Sequence, residues 1–207
     1  MMHYLDLIGT VIFAVTGALA AGRKHLDIFG VVVVAVATAL GGGTIRDVTL
    51  GSLPVFWVSD PTYIIVVVVA ALATVVVARF MRLPDGLLNV ADAFGLAVFT
   101  VIGTERALAA DAGPLVAVLM GMATGVAGGM IRDVLTGEVP LILRREIYAT
   151  ASLCGAAVFV ALTAVCPGWC AHAFISVVVT LGLRLAAIKW DLSLPRFFPK
   201  GTSDADR

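Results

Sequence analysis

Charge is scarce in this 207-residue chain: Asp, Glu, Lys and Arg together make up 14% of it, against about a quarter in soluble domains. The 14 basic and 14 acidic residues cancel, so no bulk attraction to nucleic acid exists. Cysteine is rare too. Cys154, Cys166 and Cys170 show no C-x-x-C spacing, which excludes the common zinc frameworks. Cys166 and Cys170 flank Pro167-Gly168-Trp169. They either pair, if that turn faces an oxidising compartment, or serve as small apolar side chains near a helix end. Catalytic signatures are missing as well. Residues 41–47, GGGTIRD, lack the Lys-Ser/Thr ending of a phosphate loop, and neither G-x-S-x-G nor HExxH occurs. His3, His25 and His172 have no ligand spacing. No enzyme, resident cofactor or metal is expected.

What fills the chain instead is apolar sequence, 60% of residues with a mean hydropathy of +1.05. A helix rising about 1.5 Å per residue needs roughly 20 apolar residues to cross about 30 Å of hydrocarbon. Charge-poor runs predict seven such helices, at 4–22, 28–48, 61–80, 87–106, 113–134, 146–165 and 169–189. The last two come from a stretch without Asp, Glu, Lys or Arg between Ile147 and Leu183, split by Pro167-Gly168. Residues 7–16 followed by Ala18-Leu19-Ala20 resemble a signal peptide. However, no Lys or Arg precedes the run and Arg23-Lys24 follow it, so it is read as a retained span. Loop charge then sets orientation. Arg23, Lys24, Arg79, Arg82, Arg144, Arg145, Lys189, Arg196, Lys200 and Arg207 collect on one side, and essentially Arg106, with Arg46 nearby, on the other. The N-terminus is expected outside and the C-terminus in the cytoplasm.

Residues 6–54 align without a gap on residues 92–140 at a constant offset of 86, with 17 of 49 positions identical. Asp6, Gly9, Phe13 and Gly17 meet Asp92, Gly95, Phe99 and Gly103; Gly42-Gly43-Thr44-Ile45-Arg46-Asp47-Val48 meets Gly128-Gly129-Met130-Ile131-Arg132-Asp133-Val134. Three helices per unit invert the second copy in the membrane. Such inverted repeats place a permeation or substrate site near the midplane at their interface. The expected division is a first repeat at 1–86, an inverted second repeat at 87–166, a seventh helix at 167–190 and a cytoplasmic tail at 191–207.

Three groups are candidates for a pathway. Gly41, Gly42, Gly43, Gly128 and Gly129 either kink their helices and expose carbonyls or permit close packing. The stripe Gly121, Gly125, Gly129, matched by Ala35, Ala39, Gly43, favours the second as well. Arg46-Asp47 and Arg132-Asp133 either guard the two mouths of a pathway or anchor helix ends by snorkelling. Asp6 and Asp92 either interact with a helix N-terminus or attract cations at each entrance. Glu105 and Glu138 are expected in loops. Arg184, one turn from a helix end, is expected to snorkel.

The segments GGGTIRDVTLGSLP and GGMIRDVLTGEVPLILRREIYA, in a three-plus-three-plus-one helix pattern over about 4–190, resemble the trimeric intracellular cation (TRIC) channels, in particular their bacterial members. The resemblance implies a homotrimer with a pore in each subunit, lined by the second and fifth helices with help from the first and fourth. It implies permeation of monovalent cations, chiefly potassium, in a bacterial inner membrane with lipid as the surrounding partner. It also implies that the five glycines are kink residues. Ala127 replaces the first glycine of the second copy, so the two kinks need not be equal. Some bacterial sequences of this broad family are labelled glycine transporters. That leaves an alternative, a secondary carrier in which Arg holds a zwitterion's carboxylate and Asp its ammonium.

Overall fold

Runs of Val, Ala, Leu and Ile without proline leave the backbone only one way to satisfy itself in lipid, the α-helix. The computed structural model describes residues 2–81, 84, 86–144, 147–166 and 171–192. Its helices are α1 (Met2–Arg23), α2 (Ile28–Leu50), α3 (Phe56–Ser59), α4 (Thr62–Phe80), α5 (Leu87–Ala109), α6 (Pro114–Leu135), α7 (Leu141–Arg144), α8 (Ala149–Val165) and α9 (His172–Trp190). Six are long and apolar enough to cross a membrane: α1, α2, α4, α5, α6 and α9. Helix α8, at 17 residues, is a shorter apolar helix. The short α3 and α7 were not foreseen. The Pro167-Gly168 turn, Cys170 and the tail after Leu192 lie outside the described residues, as do Arg82, Arg145, Arg196, Lys200 and Arg207.

Local chemistry explains the ends. Asp27 caps α2 by accepting from the Gly30 N–H at 2.7 Å. Gly51 closes it with φ +69°, and its N–H bonds the carbonyls of Asp47 and Val48. Pro114 opens α6, where its missing N–H costs nothing. The duplication is visible in the same details: His25 and Asp111, 86 apart, adopt φ of 55° and 56°, and Gly51 and Gly137 both adopt 69°. Glu105 falls inside α5 and is half-buried, not in a loop.

Helices α1, α2 and α4 pack together, α5, α6 and α8 pack together, and α9 lies against α5 and α8. The two bundles meet reciprocally. A Cβ on Gly42 would strike the Thr124 carbonyl, and one on Gly128 the Thr38 carbonyl; one on Gly9 would meet the Phe99 ring, and one on Gly95 the Phe13 ring. Phe13 and Phe99 stack at 5.0 Å. Contact of i with j and of the copies of j with i marks a two-fold relation. The pairings of Thr38 with Gly128 and Gly42 with Thr124 run in opposite chain directions, so α2 and α6 cross antiparallel.

Candidate functional site: two buried charge clusters beside a glycine crossing

Gly41, Gly42 and Gly128 sit where α2 and α6 touch, while Gly43 faces Phe56 and Gly129 faces Tyr148 and Asp92. Helix geometry is unbroken through Gly41–Gly43 and Gly128–Gly129, so no exposed run of carbonyls forms there. The space a side chain would fill is taken: Ile131 stands over Gly41, the Thr124 carbonyl over Gly42, and Phe56 over Gly43. Thr38 and Thr124 flank the crossing and return their hydroxyls to the carbonyls of Val34 and Met120, each at 2.6 Å. Close packing, not a break in the helix, is what these glycines provide in this conformation.

One turn beyond the glycines in each repeat lies an arginine with almost no exposure, 1% for Arg46 and 0% for Arg132. Neither snorkels. Each bonds the next residue: Arg46 Nε and Nη2 reach Asp47 Oδ1 at 2.8 and 2.7 Å, and Arg132 Nε and Nη2 reach Asp133 Oδ1 at 2.9 and 2.8 Å. The other aspartate oxygen has a structural duty. Asp47 Oδ2 accepts from the Phe56 N–H and Asp133 Oδ2 from the Leu141 N–H, both at 2.9 Å. Each aspartate therefore pins the short helix that follows its repeat's proline while neutralising its arginine.

The clusters then diverge. Asp92, fully buried on α5, accepts from Arg132 Nη1 at 2.6 Å. Asp6, its copy, is 3% exposed and accepts instead from the Tyr63 hydroxyl at 3.3 Å. Neither lies in the first turn of its helix, so the helix-terminus reading does not describe them; Asp92 is the partner of an arginine. In the first cluster Asp6 Oδ1, Thr10 Oγ1 and Arg46 Nη1 are buried without a hydrogen-bond partner, and Phe56 lies 5.6 Å from the Arg46 guanidinium.

Three residues of this site escaped sequence reasoning. Tyr63 and Tyr148 begin or precede the third long helix of each bundle and are both buried. They stand 85 apart, one off the repeat and beyond the ungapped alignment, so the offset does not reveal them. A Cβ on Gly129 would meet Tyr148 Oη at 2.7 Å, Asp92 Oδ1 at 3.1 Å and Arg132 Nη2 at 3.6 Å, so these groups converge on one point. Arg184 is the third. It is 1% exposed and lies over the Tyr148 ring at 4.9 Å. The expected snorkelling fails because α9 packs against α5 and α8. A charge within an apolar span was the available signal.

Beneath the second cluster opens a cavity of about 270 Å³, with Arg132, Asp133, Asn89 and Thr136 among its lining residues. Across it Glu138 bonds Lys24 and Arg144, each at 2.6 Å, tying the α1–α2 loop to α7. These two cations hold the Glu138 carboxyl below its ordinary value. The larger concavity, about 1180 Å³ between ends of α1, α2 and α4, contains neither charge cluster. Among the described residues no group of His, Cys, Asp or Glu could hold a metal.

A family model described as "Glycine transporter" matches residues 3–79 and again 89–164. The chain is 52% identical over 200 residues to the UPF0126 inner membrane protein YadS of Escherichia coli K12, covering 95% of this chain and 96% of that one. It is 46% identical over 200 residues to a UPF0126 membrane protein of Vibrio cholerae, covering 95% and 83%. Among solved structures it is similar to the TRIC trimeric intracellular cation channel orthologue from Rhodobacter sphaeroides, with TM-score 0.88 and 46% identity over 92% of this chain and 98% of that one. A second, solved as a structural basis for conductance through TRIC cation channels, gives TM-score 0.86 and 36% identity over 97% and 98%.

Proposed function

The chain belongs to the TRIC channel family, and from that premise we propose that it is a multi-pass channel of the bacterial inner membrane for monovalent cations, chiefly potassium. The observation that carries the reading is the likeness to solved TRIC cation channels over nearly the whole chain. The duplicated charge clusters and their antiparallel crossing support it, since polar residues at membrane depth mark ion pathways.

In detail, seven helices span, the shorter α8 among them. Its 17 residues rise about 25 Å, a shortfall that local bilayer thinning absorbs. The N-terminus lies outside and the C-terminus in the cytoplasm, with repeats at 1–86 and 87–166, a separate helix at 167–190 and a tail at 191–207. Three copies assemble, each with its own pathway. That pathway runs past Asp6, Arg46 and Asp47 on the outer side, through the crossing of Gly41–Gly43 with Gly128 and Gly129, to Asp92, Arg132 and Asp133 on the inner side. With the crossing packed shut, conduction requires α2 and α6 to part there. The aspartates offset the arginines, so selectivity is modest.

Planar-bilayer recording of the purified protein in asymmetric potassium chloride tests this. Discrete openings that reverse near the potassium equilibrium potential are expected. The rival reading is a carrier of a small amino acid such as glycine. A silent bilayer together with saturable glycine uptake into proteoliposomes from the same preparation would replace the channel reading with it.

A further inference from the structure

Each repeat holds a buried trio of tyrosine, aspartate and arginine: Tyr63, Asp6 and Arg46 in the first, Tyr148, Asp92 and Arg132 in the second. Register assembles the first trio. The short turn after Arg23 makes α1 and α2 antiparallel neighbours, and a Cβ on Gly17 would meet the Ala35 Cα. Asp6, eleven residues before Gly17, therefore lies level with Arg46, eleven after Ala35. Of the charged groups around Asp6, Arg46 acts on it most strongly. The two trios are bonded in opposite ways. In the first, Tyr63 donates to Asp6 Oδ2 at 3.3 Å, while Asp6 Oδ1 and Arg46 Nη1 have no hydrogen-bond partner among the described residues. In the second, Arg132 Nη1 donates to Asp92 Oδ1 at 2.6 Å, while Asp92 Oδ2 and the Tyr148 hydroxyl have none. Each repeat leaves unpaired the atoms that the other pairs, so neither arrangement satisfies its trio, and every buried orphan carries a desolvation cost. Local sequence separates the two. Phe56 packs 5.6 Å from the Arg46 guanidinium, and Thr10 adds a buried hydroxyl one turn along α1 from Asp6; their copies are Ile142 and Leu96.

We propose that the trio is a two-position switch, seen in its tyrosine position in the first repeat and in its arginine position in the second. Asp6 is its moving part and passes from Tyr63 to Arg46 when the α2–α6 crossing opens. Departure leaves the Tyr63 hydroxyl a second partner, since His3 Nδ1 stands 3.4 Å from it and accepts in the tautomer that leaves this nitrogen bare. Arrival pairs two atoms that are now orphaned, in the geometry that Asp92 and Arg132 already display. Two packings of one set of groups with little to choose between them are what a bistable element requires. The link to opening rests on the channel reading; the exchange of partners does not.

The test is the structure of full-length Tyr63→Phe, which deletes the hydroxyl and keeps the ring against Phe56. Asp6 Oδ1 is expected to move within hydrogen-bond distance of Arg46 Nη1, as Asp92 Oδ1 is of Arg132 Nη1. An Asp6 that stays apart from Arg46 would overturn the proposal. In bilayers where the unaltered protein conducts, Tyr63→Phe should raise the open probability roughly tenfold, the effect of one hydrogen bond to a charged group. The Tyr63→Phe/Asp6→Asn double variant, with no carboxylate to pass to Arg46, should lose that gain. An unchanged open probability in Tyr63→Phe, or a gain that survives Asp6→Asn, would refute the link between exchange and opening. Should Tyr63→Phe not fold, the unaltered protein captured with the crossing open decides instead: Asp6 on Arg46 supports the switch, and Asp6 still on Tyr63 refutes it. If the unaltered protein is silent, the channel reading fails while the Tyr63→Phe structure still decides the exchange.

Discussion

Arg132 and Arg46 occupy equivalent positions and hold unequal sets of bonds. Arg132 ties two carboxylates, Asp92 and Asp133; Arg46 ties only Asp47 and leaves Nη1 without a hydrogen-bond partner. Removing one partner of a buried pair typically costs about 3–5 kcal/mol because the remaining charge is stranded. Arg132→Ala strands Asp92 inside the protein. It is expected to destabilise by about that amount in thermal unfolding, and Arg46→Ala by less. Equal losses would mean that the two clusters are energetically alike despite their geometry. Glu138 makes a separate prediction, because it lies in a loop. Lys24 and Arg144 depress its carboxyl, so the stabilisation is present above the ordinary value of 4.5 and is lost as pH falls through the lower folded value. Unfolding midpoints of the unaltered protein and Glu138→Gln should differ at neutral pH and converge on acidification. A gap that persists at low pH would show that something other than charge holds the loops together.

At the scale of elements, glycine has two opposite uses. Gly42 and Gly128 let α2 and α6 approach until each faces the other's backbone carbonyl, and a backbone cannot step aside as a flexible side chain can. Gly42→Ala and Gly128→Ala should each force the helices apart and cost about 1–3 kcal/mol. Gly182, within α9, has nothing within 4 Å. Gly182→Ala should be neutral or stabilise by up to about 1 kcal/mol through helix propensity. The comparison is read from thermal unfolding of the three variants. A tolerated Gly42→Ala together with a damaging Gly182→Ala would mean that packing lies on the other face of the bundle. Polar side chains pack helices here too. The Thr100 and Ser152 hydroxyls bond at 2.6 Å between α5 and α8, and Ser176 donates to the Gly155 carbonyl at 2.7 Å between α9 and α8. Both are expected of helices whose mutual attraction cannot come from hydrophobicity in lipid.

For the whole molecule, orientation is the quantity to measure. With native cysteines replaced, a cysteine at Ser59 should react with an impermeant thiol reagent in intact spheroplasts. A cysteine at Glu138 should react only after permeabilisation. The reverse pattern would invert the proposed topology and exchange the inner and outer clusters. Native mass spectrometry should give three subunits.

Uninterrupted apolar runs set the number and approximate limits of the long helices, because an apolar segment in lipid must satisfy its own backbone. Every predicted helix from 4–22 to 169–189 overlaps an observed one by most of its length. The 86-residue offset likewise carried the pairing of Asp6 with Asp92 and Arg46 with Arg132, since a duplicated unit keeps its register along the chain. Distance along the chain says nothing about which side chains of different helices meet. Packing alone brought Asp92 to Arg132 but left Asp6 to Tyr63, seated the Thr124 carbonyl over Gly42, and carried Arg184 from a separate helix onto Tyr148. Those choices depend on which helix faces come together, and a chain rich in apolar residues on every face does not encode them in its periodicity. The close approach at Gly42 and Gly128 sets one of those meetings, the crossing of α2 and α6.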